Sequence, residues 1–340
     1  MFAADFDYEL PEAAVAQTAI EPRDAARLLV TSSLEDRTFR DLPGLLVPED
    51  LLVVNRTRVR PARLRGHKTP SGGAIELLLS KRIDADRWEA LIRPARRIRA
   101  GQELRFGDIK GHVLTDPDRG VVTVALEAGK TDVDDALGVD GEVPLPPYFR
   151  GSLATPDRYQ TMFAKAVGSA AAPTAGLHFT PSLAEDLRER GIGIAEVDLE
   201  VGLDTFRPME AGPIADHRMH RERFSVPAAT VEAIDRTRHS EGRVIAVGTT
   251  VVRSLETAAG VSGLTAGEAE SGLFITPGYR LRVVDAVITN FHAPRTTLLV
   301  MIAALLGPRW REVYAHAIDG GYRFLSFGDA MFIDEPVNAR

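Results

Sequence analysis

Residues 60–142 carry strand signals and little else, and this block is set between two stretches of a different kind. Short apolar runs at Ile75–Leu79, Trp88–Ile92, Glu103–Phe106, Gly111–Leu114 and Val121–Leu126 are separated by Ser-Gly-Gly, Ala-Gly-Gln and Asp-Arg-Gly turns. That spacing predicts a small β-barrel. Upstream, Asp50–Asn55 holds the unbroken apolar run Leu51–Val54 rather than an alternation, as a strand buried on both faces would. Downstream, the chain leaves the block through Val143-Pro144-Leu145-Pro146-Pro147-Tyr148, a stiff step of polyproline type. Strands and helices then alternate. Helices are expected over Pro156–Ala166, Ser182–Arg190, Thr230–Glu241, Val251–Ala259, Thr297–Leu306 and Trp310–Ile318, and strands over Ile192–Gly202, Arg243–Val247 and Leu281–Thr289. Such alternation implies a mostly parallel sheet or barrel, which the strand at 50–55 joins across the insertion. The expected fold is therefore α/β: a barrel-like main domain of residues 1–59 and 143–340, interrupted by a small β-barrel domain of residues 60–142.

Composition removes several chemistries. There is no cysteine, which excludes disulfides, thiolate metal sites and cysteine nucleophiles. The first residues carry Asp5, Asp7 and Glu9 with no basic start and no apolar core, so no signal peptide is expected. The longest apolar run, Leu298–Leu306, is far short of the ~20 residues of a membrane helix, so no membrane association is expected. A net charge of −7 argues against non-specific coating of nucleic acid but leaves room for a local basic patch. Arginines do cluster, at Arg56, Arg58, Arg60, Arg63 and Arg65 and again at Arg93, Arg96, Arg97 and Arg99. A solvated strand face and a phosphate-binding surface are both open readings of that pattern.

Four polar loops fall at predicted strand ends, where parallel α/β folds bind ligands. They lie around His178, at Glu200–Thr205, at Gly248–Thr250 and at Asn290–Arg295. In the first, Ala171–Phe179 leads to Thr180 as N-cap and Pro181 as first helical residue, with Gly191 closing the helix. The plain alternative is a tight turn with a surface histidine. Gly248-Thr249-Thr250 after a buried strand is a candidate anion cradle, for a carboxylate as readily as a phosphate. His217 and His220 form an HxxH pair, too little for a metal site on its own, and no metal is expected. No phosphate-loop, dinucleotide, nucleophile-elbow or HExxH motif is present. These residues define an α/β enzyme that binds an anionic ligand; they do not name the reaction.

Larger segments do. Gly44–Leu52, Asn55–Leu64, Pro144–Tyr148, Asp157–Thr161, Ala171–Phe179, Arg243–Glu256, Pro277–Tyr279, Val284–His292 and Tyr322–Ile333, in that order, resemble the S-adenosylmethionine:tRNA ribosyltransferase-isomerase family over nearly the whole chain. The resemblance implies a cytoplasmic, monomeric enzyme of the queuosine pathway with no bound cofactor. S-adenosylmethionine is its co-substrate and donates a ribosyl group to 7-aminomethyl-7-deazaguanine (preQ1) in the tRNA anticodon, giving epoxyqueuosine, adenine and methionine. A sulfonium acidifies its neighbouring 5′ C–H, so a base in a dry pocket forms an ylide-like carbanion and adenine leaves. The attacking aminomethyl nitrogen must be neutral. Candidates for the acid–base work are His178, His217, His220, His292 and Asp329. Expected around the donor are Thr174, Gly176, Glu200, Gly202, Thr205, Gly248, Thr249, Thr250, Arg253 and Asn290, and expected on tRNA are Arg56, Arg58, Arg63, Arg96 and Arg97.

Two positions depart from the family pattern. Where its members read Leu-His-Val-Gly-x-Gly-Thr-Phe, this chain has Leu199-Glu200-Val201-Gly202-Leu203-Asp204-Thr205-Phe206. A carboxylate in place of an imidazole favours a cationic ligand over a phosphate. Two other readings thus stay open here: a paralogue that transfers ribosyl to a free base or small acceptor, and an RNA-binding protein without catalysis.

Overall fold

The computed structural model describes residues 1–339 apart from 130, 152, 154, 203–206, 261 and 262. Tertiary contacts divide the chain into two units, one of Met1–Arg58, Pro146–Val167 and Ala172–Arg340, the other of Val59–Leu145 and Gly168–Ala171.

The first unit is built on a mixed nine-stranded sheet. Its order is Gly267–Ser271, Glu222–Val226, Gly193–Leu199, Leu51–Asn55, Val244–Val247, Ala286–Asn290, Ala330–Ile333, Arg27–Val30 and Glu35–Thr38. The four strands from Gly193–Leu199 to Ala286–Asn290 run parallel. Three of them, Leu51–Asn55, Val244–Val247 and Ala286–Asn290, are buried at every residue, as the mainly apolar strands of a covered parallel sheet must be, with polar residues only at the carboxyl ends. The outer strands Glu35–Thr38 and Gly267–Ser271 are polar and mostly exposed, and their sequences carry no apolar alternation to announce them. One face of the sheet packs Leu52, Val54, Ile245 and Ile288 against Phe39, Phe179, Leu183 and Leu187.

Local signals place the helices well where a cap is present. Pro181–Glu189 begins with the Thr180 hydroxyl accepting the Leu183 N–H at 3.2 Å, and Gly191 follows at φ +77°. Thr297–Leu306 begins with Thr296 accepting the Leu299 N–H at 3.3 Å, and Leu298–Leu306 is buried throughout. Its apolar run serves the core; among the described residues no helix is long and apolar enough to cross a membrane. Two expectations fail. Pro156–Ala166 is helical only as the single turn Pro156–Tyr159, because the Lys165 N–H goes to the Arg56 carbonyl at 2.8 Å rather than to a helical partner. The strand expected over Leu281–Thr289 spans only Ala286–Asn290. Ahead of it, the N–H groups of Arg282, Val283 and Val284 wrap the buried Glu256 carboxylate at 2.9–3.1 Å instead of a neighbouring strand.

Asp50 ties the amino ends of the parallel strands. Its carboxylate, with no exposed side-chain surface, accepts the Arg243 N–H at 3.0 Å, the Arg243 guanidinium at 2.6 and 3.1 Å, and the Val47 N–H at 3.0 Å. Asp285 does the same for the Val244 N–H at 2.9 Å.

The second unit is a closed barrel of six antiparallel strands, in the order Val121–Ala128, Arg87–Arg93, Ala74–Arg82, Arg63–Thr69, Glu103–Phe106 and Ile109–Val113. Five lie where the apolar runs predict them. The sixth, Arg63–Thr69, comes from the arginine-rich segment, whose Leu64 points into a core of Leu77, Trp88, Ile92, Phe106 and Val124. The helix Val133–Asp140, capped by Asp132, adds Val133, Ala136 and Leu137 to that core. Arg60 is not a solvated member of an arginine ladder. It lies over Trp88 at 4.7 Å and pairs with Asp134 at 3.2 Å, while Arg82 reaches the same ring at 5.1 Å and the same carboxylate at 2.7 Å.

Asp50→Ala leaves two backbone N–H donors and a partly covered guanidinium without their acceptor. It is expected to lower stability by about 3 kcal/mol, read as a fall in the urea midpoint. An unchanged midpoint would remove Asp50 as the anchor of the strand starts.

Candidate active site

The carboxyl ends of Val244–Val247 and Ala286–Asn290 open on a cavity, the usual place for a ligand in a parallel α/β sheet. Thr174, Gly248, Thr249, Thr250, Asn290 and His292, all expected from the polar loops, line it, joined by Thr289 on the strand end. The rest of the wall is mainly apolar, with Val201, Phe291, Leu298 and Leu325. Tyr148 and Ser326 also line it. Their hydroxyls hydrogen-bond each other, and burial pushes the Tyr148 phenol up to about 12. Tyr148 stands in the segment that reads from sequence as a stiff hinge, and its ring has no separate signal there. Among the described residues no Asp, Glu, Lys or Arg lines this cavity.

Asn290 organises the floor. Thr174 donates its hydroxyl to Asn290 Oδ1 at 2.8 Å, and Asn290 Nδ2 reaches the Asp329 carbonyl at 3.4 Å. A carbonyl only accepts, so the amide nitrogen faces that side, and the same nitrogen donates to His178 Nε2 at 3.2 Å. The proton of His178 is thereby assigned to Nδ1. His178 is stacked on Phe39 with ring centroids 4.9 Å apart and is 5% exposed. Burial, with Arg158 and Arg323 nearby, drives its pKa down to about 3, against a hydrogen bond to the Arg23 backbone. It is neither a surface residue nor part of the cavity wall. His178 lies behind Asn290, in a small crevice with Arg23, Arg158 and Arg323.

His292 is on the wall. Its Nε2 meets Thr289 Oγ1 at 3.0 Å, and its backbone is gripped by two tyrosines: Tyr8 donates to its carbonyl at 2.6 Å, and its N–H donates to the Tyr314 hydroxyl at 3.0 Å. Burial lowers its pKa to about 3, so the ring is neutral. Among the described residues it is the one lining group with an uncharged nitrogen able to take a proton.

The remaining candidates lie elsewhere. Asp329 is 2% exposed and gives its oxygens to the N–H groups of Arg27 at 3.0 Å and Arg323 at 2.8 Å, a backbone clamp. Arg253, 4% exposed, pairs with buried Glu222 and donates to the carbonyls of Ser271 and Leu273 at 3.1 and 3.2 Å. Glu222 in turn accepts the Gly202 N–H at 3.0 Å, so this pair holds the backbone at Gly202. Gly176 is buried in a short turn where a Cβ would press on Thr161 at 3.1 Å; its smallness serves packing. Glu200 is exposed at the strand end, and the cavity wall takes Val201 instead. His217 packs edge-on to Phe274 at 5.5 Å and His220 is exposed, neither of them at the cavity. Thr205 and Asp204 lie outside the described residues. No cluster of metal-ligating side chains occurs among the described residues.

The expected RNA-facing arginines divide in two. Arg56 is bound by Asp198 at 2.7 Å and Glu196 at 3.7 Å, Arg58 approaches Asp157 at 3.8 Å, and Arg63 approaches Glu76 at 4.0 Å. Arg96 and Arg97 are exposed on a short turn of the barrel unit, where Ile98 is buried, and have no ion pair among the described residues.

Fold and cavity together define an α/β protein with a ligand pocket at the ends of its parallel strands, uncharged among the described residues. The comparisons with known proteins go further. Residues 3–333 match the family described as queuosine biosynthesis protein, and the chain belongs to that family. It is 47% identical over 340 residues to the S-adenosylmethionine:tRNA ribosyltransferase-isomerase of Symbiobacterium thermophilum, covering 97% of this chain and 99% of that one. It is 49% identical over 334 residues to the protein of the same name from Gloeobacter violaceus, covering 96% and 94%. The crystal structure of the S-adenosylmethionine tRNA ribosyltransferase of Thermotoga maritima is similar at 36% identity and a TM-score of 0.55, over 96% of this chain and 99% of that one.

Two neutral imidazoles make stability depend on pH in a defined direction. Their folded pKa values lie below the ordinary 6.5, so the stability they contribute is complete above 6.5 and is lost as pH falls toward 3. The unfolded chain takes up the protons, and each histidine contributes about 1.4 kcal/mol per pH unit well below 6.5. His178→Asn and His292→Asn should each flatten the slope of unfolding free energy between pH 6 and 4 by about that amount. A slope identical to the parent's would mean that the ring is already protonated in the fold.

Proposed function

We infer that the chain is an S-adenosylmethionine:tRNA ribosyltransferase-isomerase of queuosine biosynthesis. The observation that carries this is the cavity without charged side chains among its described residues, with one neutral imidazole on its wall, in a chain 47% identical to such an enzyme over 97% of its length. S-adenosylmethionine is a ribosyl donor here and tRNA the acceptor, through the aminomethyl nitrogen of preQ1 in the anticodon. Adenine and methionine leave and epoxyqueuosine forms. The enzyme acts in the cytoplasm as a monomer and needs no further cofactor. The readings with a small acceptor or without catalysis are not favoured by relatives that carry the name of the tRNA-modifying enzyme; of the two departures behind them, Glu200 does not line the cavity and Asp204 lies outside the described residues.

The chemistry asks for a base near an acidified 5′ C–H and for exclusion of water. His292 is the group for the first role: its imidazole lies on the cavity wall beside Thr289, and its backbone is immobilised by Tyr8 and Tyr314. The apolar wall serves the second, since a dry surrounding strengthens the field of the sulfonium on its neighbouring C–H bonds. His178 and Asp329 are positioning residues. They hold Asn290 and the loops around it and do not touch the donor.

His292→Gln keeps a side chain of similar reach and a hydrogen-bond partner for Thr289 but removes the basic nitrogen. It should lower kcat for adenine release by about 10²–10⁴-fold, the usual size of general-base catalysis, with donor KM little changed. An undiminished kcat would take the proton-transfer role away from His292.

The phosphate-facing charges are Arg96 and Arg97, since Arg56 is already opposed by two carboxylates. Replacing both with alanine should reduce the slope of log tRNA affinity against log salt by about 0.7–0.9 for each phosphate that they neutralise, and Arg56→Ala should leave the slope alone. The reverse pattern would move the RNA-binding surface from the barrel turn to the Arg56 segment.

A further inference from the structure

S-adenosylmethionine carries a carboxylate at the end opposite its adenine, yet among the described residues no lysine or arginine lines the cavity. A buried carboxylate without a partner is costly, so its counterpart must come from backbone or neutral donors. Two helices begin at the cavity. The helix Thr297–Leu306 is already capped, its first free N–H groups shielded by the Thr296 hydroxyl, which accepts from Leu299. The helix Thr249–Ala258 is not: its N-cap is Gly248, which has no side chain to give.

Gly248 holds φ +96° and ψ 150°, a combination open to glycine alone, and the nearest atoms to a Cβ there would be 3.6 Å away. The requirement is conformational rather than steric. This backbone turn sends its own N–H to the Ile288 carbonyl at 2.8 Å and starts the helix, leaving the Thr249 and Thr250 N–H groups without acceptors among the described residues. Beside them, Thr250 is 7% exposed, lines the cavity, and has a hydroxyl with no hydrogen-bond partner among the described residues. A buried unsatisfied hydroxyl next to two orphan N–H groups at the positive end of a ten-residue helix is a set of donors awaiting an acceptor.

We propose that the start of the helix Thr249–Ala258, with the Thr250 hydroxyl, binds the α-carboxylate of the methionine half of S-adenosylmethionine. This rests on the reading of S-adenosylmethionine as the donor. A phosphate of the tRNA is the other oxyanion that such donors suit, but Thr250 lies among apolar walls, where a free amino-acid end can enter and a continuous phosphate backbone is less easily desolvated.

The test is the steady-state release of adenine at saturating precursor tRNA, with S-adenosylmethionine and with its decarboxylated analogue as donors. The unmodified protein should show a KM about tenfold or more higher for the analogue, the weight of one charge-assisted hydrogen-bond set. Thr250→Val should raise the KM for S-adenosylmethionine by about tenfold and leave that for the analogue within about twofold, while Thr250→Ser, which keeps the hydroxyl, restores the difference. Equal KM values for the two donors in the unmodified protein overturn the proposal, and this arm needs no variant to fold. A Thr250→Val effect on the KM for tRNA but not for the donor also overturns it, in favour of a phosphate. Failure of the unmodified protein to release adenine from S-adenosylmethionine at all would instead overturn the donor reading itself.

Discussion

The amide of Asn290 is the junction on which the site depends. It ends a strand buried at all five positions, and its two polar atoms join two other segments: the Thr174–His178 turn, held at both the Thr174 hydroxyl and the His178 ring, and the Asp329 carbonyl. Each of those segments is fixed again behind the amide. Asp329 clamps the backbones of Arg27 and Arg323, and His178 stacks on Phe39. A buried polar network of this kind is stable only when every member is satisfied, so the loops around the cavity are held in one arrangement. At the opposite end of the sheet Asp50 plays the matching part, bringing Val47 and Arg243 to one carboxylate.

The cavity's electrostatics follow from the charges that, among the described residues, are kept off its wall. Acid and base pairs are close by, but they are turned to structural tasks: Glu222 with Arg253 at the Gly202 backbone, Glu256 inside a ring of N–H groups. Ligand charge is therefore met by dipoles, neutral rings and helix ends. Such groups cost little desolvation before a ligand enters and keep a low local dielectric, in which a bound sulfonium acts strongly on its own C–H bonds.

In the barrel unit and the segment ahead of it, arginine number says less than arginine pairing. Arg60 and Arg82 enclose Trp88 and share Asp134, an arrangement that stiffens the barrel. Arg56 is taken by Asp198 and Glu196 on the neighbouring strand, and Glu196 also holds Lys165. Only charges left without such partners are available to a polyanion at full strength, and Arg96 and Arg97 are of that kind among the described residues.

Periodicity and capping, read along the chain, locate five of six barrel strands, the buried parallel strands and the capped helices, because those depend on neighbours a few residues away. The Gly248–Thr250 and Asn290–His292 loops are legible for the same reason: each directly follows an apolar run. The edge strands Glu35–Thr38 and Gly267–Ser271 are not, since polar sequences become strands there only through hydrogen bonds to partners outside the segment. Which polar residues face a ligand is likewise a tertiary decision. His178, His292, Asp329 and Arg253 look alike as polar residues in or near strand-end loops, and the fold gives only His292 of these four to the cavity wall. The other three bury a ring or a charge that must be satisfied from within, and their partners, Asn290, the Arg323 backbone and Glu222, are brought to them by the fold.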